Sequence, residues 1–162
     1  MTKLRNATLV FLVKKSRGEI SHICLAMKKR GFGKNRWNGV GGKVDGEETI
    51  EEAAKRETEE EIDVSAKELN KVAEISFYFP HNPAWDQMVH VYFADSWDGE
   101  PKESEEMNPK WFSINEIPFQ DMWPDDIFWL PEVMKGNLLK AMFKFGENDV
   151  VQSKKINIVN EL

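Results

Sequence analysis

Apolar residues in this chain fall into short runs cut by polar and turn-forming residues. TLVFLV (8–13) is a continuous apolar run of strand length, and ISHICLAMKK (20–29) is a second, with Ser16, Arg17 and Gly18 supplying turn chemistry between them. VAEISFYF (72–79) and MVHVYFADS (88–96) repeat the pattern on either side of a loop that holds proline, histidine and tryptophan. Trp111 and Phe112 start a further short strand, and MFKF, DVV and KINIVN add two or three in the tail. Helical spacing shows twice. Ile50, Ala53, Ala54, Thr58 and Ile62 fall on one face, with Thr49 as cap and Glu52 completing a capping box, which predicts a helix from about 50 to about 62. A second helix is predicted from Asp125 to Lys135, closed by Gly136, after an aromatic loop FQDMW between Pro118 and Pro124. Strands mixed with two helices indicate an α/β sandwich, and 162 residues suit one domain spanning 1–162.

Composition narrows the classes. Apolar residues at 41% and charged residues at 31% are ordinary for a soluble globular protein. No apolar run approaches the ~18 residues needed to cross a bilayer, so no membrane role is expected. MTKLRNATLVFLVKK lacks a small-residue cleavage site and reads as a first strand. The single cysteine, Cys24, allows no internal disulfide, fits a reducing compartment and reads as a packing residue. A net charge of −6 argues against a partner that is a nucleic-acid polymer. The charge is unevenly spread, however. Ten of the 28 acids lie between Asp45 and Asp63, whereas Lys28, Lys29, Arg30, Lys34 and Arg36 form a basic run. That contrast suggests a divided site, one side for cations and one for anions.

The acidic stretch KRETEEEIDV (55–64) is the sharpest feature. Glu57, Glu60 and Glu61 stand at i, i+3 and i+4, so their carboxylates are expected to converge on one patch of the first helix. Such crowding is either a solvated face or a seat for a hard divalent cation, for which oxygen ligands suit Mg²⁺ or Mn²⁺. The segment GKVDGEETIEEAAKRETEEEIDV (42–64) resembles the Nudix box, Gly-x5-Glu-x7-Arg-Glu-U-x-Glu-Glu-x-Gly-U, with U a bulky aliphatic residue. Gly42, Glu48, Arg56, Glu57, Glu60, Glu61 and Val64 fall in place, while Thr58 replaces an aliphatic residue and Asp63 replaces glycine. The resemblance implies a Nudix fold, an α/β/α sandwich with a mixed sheet and a catalytic helix. It implies that Glu57 and Glu61 ligate the metal with Glu60 alongside and the Gly41 carbonyl helping, and that Glu48 and Arg56 form an ion pair tying loop to helix. The cofactor implied is Mg²⁺, with Mn²⁺ as substitute.

Outside the box, MKKRGFGKNRWNGVGGKV, SEEMNPKWFSINEIPFQDMWPDD and FKFGE are similar to the eukaryotic MutT-homologue branch of that family, over nearly the whole chain. Its members hydrolyse oxidised purine nucleoside triphosphates such as 8-oxo-dGTP and 2-hydroxy-dATP to the monophosphate and pyrophosphate. By position, Asn38, Trp123, Asp125 and Asp126 would contact the purine, Thr8 and Lys28 the sugar side, and Phe32, Phe77 and Met107 would wall the base pocket. Glu106 matches an acid supporting metal or water, and Glu57, Glu60 and Glu106 are all candidates for general base. Asp125 and Asp126 have a second reading as a helix cap. Trp37, Trp111 and Trp129 read as packing, Trp85 as exposed, and His22, His81 and His90 as structural or surface residues. The pocket side near Gln87 aligns loosely, which leaves the base preference open between oxidised, alkylated and ordinary purines. A non-catalytic nucleotide-binding module is the alternative of another class, and the intact acids argue against it. The remaining expectations are a monomer acting on a nucleoside triphosphate in the cytoplasmic pool, or in that of mitochondria or nucleus.

Overall fold

In the computed structural model, which describes residues 4–162, alternation along the first apolar run decides the layering. Strand β1 (Arg5–Ser16) sends Phe11 and Val13 to one face of a sheet and Val10 and Leu12 to the other, and all four are buried. A strand covered on both faces shows an unbroken apolar run, which explains why TLVFLV lacks a period of two. Helix α1 (Ile50–Ile62) brings Ala54 and Ile62 to the Val10 face. Helix α2 (Asp126–Met134) brings Trp129, Leu130 and Val133 to the Phe11 face. The result is an α/β/α sandwich, as expected.

The remaining strands are β2 (Glu19–Lys28), β3 (Trp37–Asn38), β4 (Ser65–Tyr78), β5 (Gln87–Asp98), β6 (Met107–Ser113), β7 (Leu138–Phe145) and β8 (Val151–Val159). They form a mixed sheet in the order β3-β2-β1-β5-β4-β7-β8, with β6 beside β2. β1 is parallel to β5, and β4 is parallel to β7. The hairpin joining β1 and β2 turns at Arg17 and Gly18, both at positive φ, the twist that suits a two-residue loop. β2 stays with β1 only as far as the Val13–Ile23 pair, beyond which Ala26 and Met27 pair with β3, while β6 pairs with β2 from His22 to Lys28. The glycine-rich segment fills the opening. Val40 exchanges two backbone hydrogen bonds with Val10, and Thr8 N–H donates to the Gly42 carbonyl at 2.8 Å.

Several boundaries differ from the sequence reading. β4 begins at Ser65 instead of 72, because its first half, SAKELNK, is largely polar and its pairing with β5 slips register three times. β8 is one strand where DVV and KINIVN suggested two. It lies at the sheet edge, so its polar middle, Gln152–Lys155, needs no buried face. Among the described residues no helix is long and apolar enough to cross a membrane.

Candidate active site

The capping box at Thr49 forms as predicted. Thr49 Oγ1 accepts from Glu52 N–H at 3.1 Å, and Glu52 Oε1 accepts from Thr49 N–H at 3.4 Å. That start sets the rotation of α1, and Arg56 on its second turn becomes the centre of a charge cluster. Arg56 donates to both oxygens of Glu48, at 2.7 and 3.0 Å, so the predicted ion pair is bidentate. The same guanidinium reaches Glu57 at 2.9 Å, Glu60 at 3.2 Å and the Lys43 carbonyl at 3.2 Å. Its hydrogen bonds hold the Glu48 carboxyl at about 2, well below the usual range, and the loop is thereby tied to the helix.

Two glycines let that loop approach. A Cβ on Gly41 would stand 1.8 Å from the Thr8 carbonyl oxygen, and one on Gly42 would stand 2.7 Å from the Glu57 carboxyl carbon. A side chain at Gly41 would push the loop off β1, and one at Gly42 would displace the Glu57 carboxylate. Gly41 N–H donates to Glu61 Oε2 at 3.3 Å. Glu61 is only 7% exposed, and burial, reinforced by the charge of Glu57, pushes its carboxyl up to about 7. Glu57, Glu61 and Gly41 are thus neighbours, although it is the Gly41 N–H, not its carbonyl, that contacts Glu61. Glu60 does not join them: its carboxylate is exposed and turns to Arg56, four residues back. Among the described residues no three acid, histidine or cysteine side chains stand close enough together to cage a metal ion. Arg56 pairs with both Glu57, at 2.9 Å, and Glu60, at 3.2 Å, and of the two Glu60 is the exposed one. Glu61, buried and held by one hydrogen bond at 3.3 Å, and Glu57, one of whose oxygens pairs with Arg56, still offer carboxylate oxygens of the kind that suits a hard divalent cation.

Glu106, on the loop just before β6, accepts from Lys28 at 3.3 Å and from Arg30 at 2.9 Å. Arg30 holds its carboxyl below the usual range. Its charge reaches Glu61, so it borders the carboxylate pair, with its oxygens taken by the basic strand.

Next to this acidic end lies a cavity of about 300 Å³. Thr8, Lys28, Phe32, Asn38, Phe77, Met107, Trp123, Asp125 and Asp126 all line it, so residues from five separate stretches of sequence come together there. Phe32 and Trp123 stand 5.0 Å apart, centroid to centroid. Asn38 Oδ1 accepts from Gly39 N–H at 2.8 Å, which leaves its amide N–H₂ group unengaged by that bond. Asp125 and Asp126 are almost wholly buried. Asp125 has helical backbone angles and makes no capping hydrogen bond, so the cap reading of this residue is overturned. Its Oδ2 accepts instead from Trp129 Nε1 at 2.8 Å, while Asp126 Oδ2 has no hydrogen-bond partner. Burial pushes both carboxyls up, and the charge of Asp125 raises Asp126 further.

Some cavity residues were missed. Leu9, Phe79, Val89 and Phe145 complete the apolar wall, and Lys43 adds a second cation. Trp129, read as packing, does pack on Phe11 at 6.3 Å, but it also donates to Asp125. Its i+4 spacing from Asp125 on a helix was the available signal. Gln87, left open, lines the cavity. Trp37 packs on Phe112 and Trp111 on Trp97, as expected of core residues. Trp85 is exposed and stands 5.0 Å from Phe32. Cys24 is buried and free, its thiol pushed up to about 12 by burial. None of the three histidines lines the cavity.

Comparison with known proteins places this arrangement. The NUDIX domain family matches residues 3–133. The chain is 44% identical over 160 residues to the oxidized purine nucleoside triphosphate hydrolase of Mus musculus, covering 99% of each chain. It is 44% identical over 155 residues to the Danio rerio protein of the same name, covering 96% of each. Among solved structures, the MutT protein of Bacillus halodurans superposes with a TM-score of 0.81 over 95% of this chain and 98% of that one, at 23% identity, which speaks for the fold alone. The chain belongs to the NUDIX domain family.

Proposed function

We propose that this chain is a pyrophosphohydrolase of oxidised purine nucleoside triphosphates, converting them to monophosphate and pyrophosphate and so clearing mutagenic precursors from the nucleotide pool. The observation that carries this reading is the buried Asp125–Asp126 pair beside Trp123, in a cavity also lined by Gly41 and Gly42, which adjoin Glu61 and Glu57. An aromatic ring stacks on any base. Two adjacent buried carboxyls of raised pKa can instead present a donor and an acceptor side by side, which reads a base edge. Exchanging the proton between them would accept both 8-oxoguanine and 2-hydroxyadenine edges. Asp125→Asn, assayed on both triphosphates, tests this, and unchanged turnover of both would count against it.

In this reading Glu57, Glu61 and the Gly41 carbonyl hold a divalent cation, Mg²⁺ or Mn²⁺, with Glu60 and Glu106 at its margin. A cation held there supplies counter-charge to phosphate oxygens and lowers the pKa of a water. The chain's own part is positional. Arg56 and Glu48 lock loop to helix, while Lys28 and Lys43 meet the triphosphate. Thr8 and Asn38 orient sugar and base, and Phe32, Phe77 and Met107 exclude water from the purine. Attack by water on a phosphorus, its proton taken by a carboxylate among Glu57, Glu60 and Glu106, then cleaves the anhydride between the α- and β-phosphates and yields monophosphate and pyrophosphate. Residues 1–162 act as one domain and the chain as a monomer, in the cytoplasmic, mitochondrial or nuclear pool. Pyrophosphate release from a panel of oxidised, methylated and ordinary purine triphosphates tests the assignment. Faster release from oxidised bases is expected. Equal release from dGTP would remove the sanitising role, and none at all would favour a binding module.

A further inference from the structure

Trp123 stands between two concave regions. One is the 300 Å³ cavity, and the other is an open groove whose lining includes Lys34, Arg36, Trp85 and Asp149. Arg36 and Asp149 line only the groove. There the Arg36 guanidinium lies 4.1 Å from the Trp123 ring centroid, and its Nη1 donates to Asp149 Oδ2 at 2.9 Å. The three residues come from the loop before β3, the segment before α2 and the turn between β7 and β8.

Both ends of this contact are built. Asn148 and Asp149 have φ of 63° and 57°, two successive left-handed residues. Asparagine and aspartate tolerate that region best, but it still costs energy, and a strained backbone persists only where its surroundings hold it. The strain brings the Asp149 carboxylate onto Arg36. The loop carrying Arg36 closes on itself, with Lys28 N–H donating to the Arg36 carbonyl at 3.1 Å and Asn35 N–H to the Lys28 carbonyl at 2.9 Å. Gly33 in that loop lies so near the indole that a Cβ would stand 3.2 Å from Trp123 Nε1. Arginine suits the place better than lysine, because a planar guanidinium can cover a ring face and pair with a carboxylate at once. Its charge also reaches Asp125 and Asp126 and favours their ionised forms.

We propose that Arg36, clasped by Asp149 and stacked on Trp123, is a positioning residue for the base of the substrate. It holds the indole, from the side away from the cavity, in the orientation that stacking requires. The proposal rests on the reading of Trp123 as a base contact. It implies that the β7–β8 turn, at one end of the sheet, governs base affinity and leaves the phosphate end alone.

The test compares wild type with Arg36→Gln, Arg36→Lys and Asp149→Asn, the last chosen because asparagine keeps the left-handed backbone while removing the charge. KM and kcat are measured with 8-oxo-dGTP, and the inhibition constant of inorganic tripolyphosphate reports the phosphate end. Arg36→Gln and Asp149→Asn are expected to raise KM about three- to tenfold, with kcat within about twofold and tripolyphosphate inhibition unchanged. Arg36→Lys should recover part of the loss, and with Asp149→Asn it carries the test if Arg36→Gln does not fold. Unchanged KM in both Arg36→Gln and Asp149→Asn would overturn the proposal, as would an equal loss in KM and in tripolyphosphate inhibition, the mark of a general structural effect. Failure of wild type to turn over 8-oxo-dGTP would remove the functional reading and this proposal with it.

Discussion

Glu61 combines near-complete burial with a single backbone donor at 3.3 Å and a neighbouring carboxylate. A residue kept in so unfavourable a state is retained for function at some cost in stability. Glu61→Gln is expected to cut kcat about 10²–10³-fold, the scale for losing one pre-organised electrostatic group, while the melting temperature of the metal-free protein holds or rises. Asp126 is a second such case. Its native pKa is raised, so the native state binds the proton more tightly than the unfolded chain. The resulting stability is fully present below the unfolded pKa of ~3.9 and is lost as pH rises through the native value. Asp126→Asn removes that dependence. It should match wild type near pH 4 and become more stable than wild type on going to pH 8, by about 1–3 kcal/mol, the cost of one unpaired buried polar group. Thermal melts across that range decide it, and a difference that does not grow with pH would contradict the assignment. The acids themselves were legible in the sequence, by motif. That Glu60 turns to Arg56 and that Asp125 takes its hydrogen bond from Trp129 were not, because one guanidinium and one indole each choose among several partners only once all are in place.

At the scale of elements, α1 shows how two departures from the family pattern are absorbed. Thr58 is fully buried where an aliphatic residue is usual, and its hydroxyl is satisfied by donating to the Ala54 carbonyl at 2.7 Å, one turn back. Asp63 ends the helix in the left-handed conformation, φ 59° and ψ 37°, where glycine is usual. A non-glycine residue there costs roughly 1–2 kcal/mol, less for aspartate. An exposed ion pair with Lys102 at 3.3 Å returns little of it. Asp63→Gly is therefore expected to stabilise the protein by about 0.5 kcal/mol, a rise of ~1–2 °C in melting temperature, with activity unchanged. A lower melting temperature would mean that the Lys102 contact outweighs the backbone strain. Helix α1 was legible to within a residue because cap, period and stop all sit in consecutive sequence. The first half of β4 and the continuity of β8 were not, since both stretches are largely exposed and so carry little apolar alternation.

For the whole molecule, the family match ends at residue 133 while the sheet continues through β7 and β8. Those strands are part of the site: Phe145 lines the cavity and Asp149 clasps the residue stacked on its indole. Folding and substrate affinity should be linked across all eight strands. A divalent cation with a non-hydrolysable purine triphosphate analogue at about 100 times its dissociation constant should add ~2.7 kcal/mol, or about 5–10 °C in melting temperature. A chelator should abolish most of that gain and the turnover together. No shift with cation and analogue would speak against the carboxylate pair as the metal seat. The sequence by itself determined the sandwich and the helix that carries the charged motif, and the resemblance it bears named part of the cavity lining. Buried runs, capping residues and a charged motif are local statements, and a local statement survives folding. Only the tertiary structure decided which carboxylates meet, that the Asp125–Asp126 pair is buried without a cap, and that Arg36 stands behind Trp123. Those outcomes depend on side chains both near and far in sequence competing for the same partners in a space the sheet must first enclose.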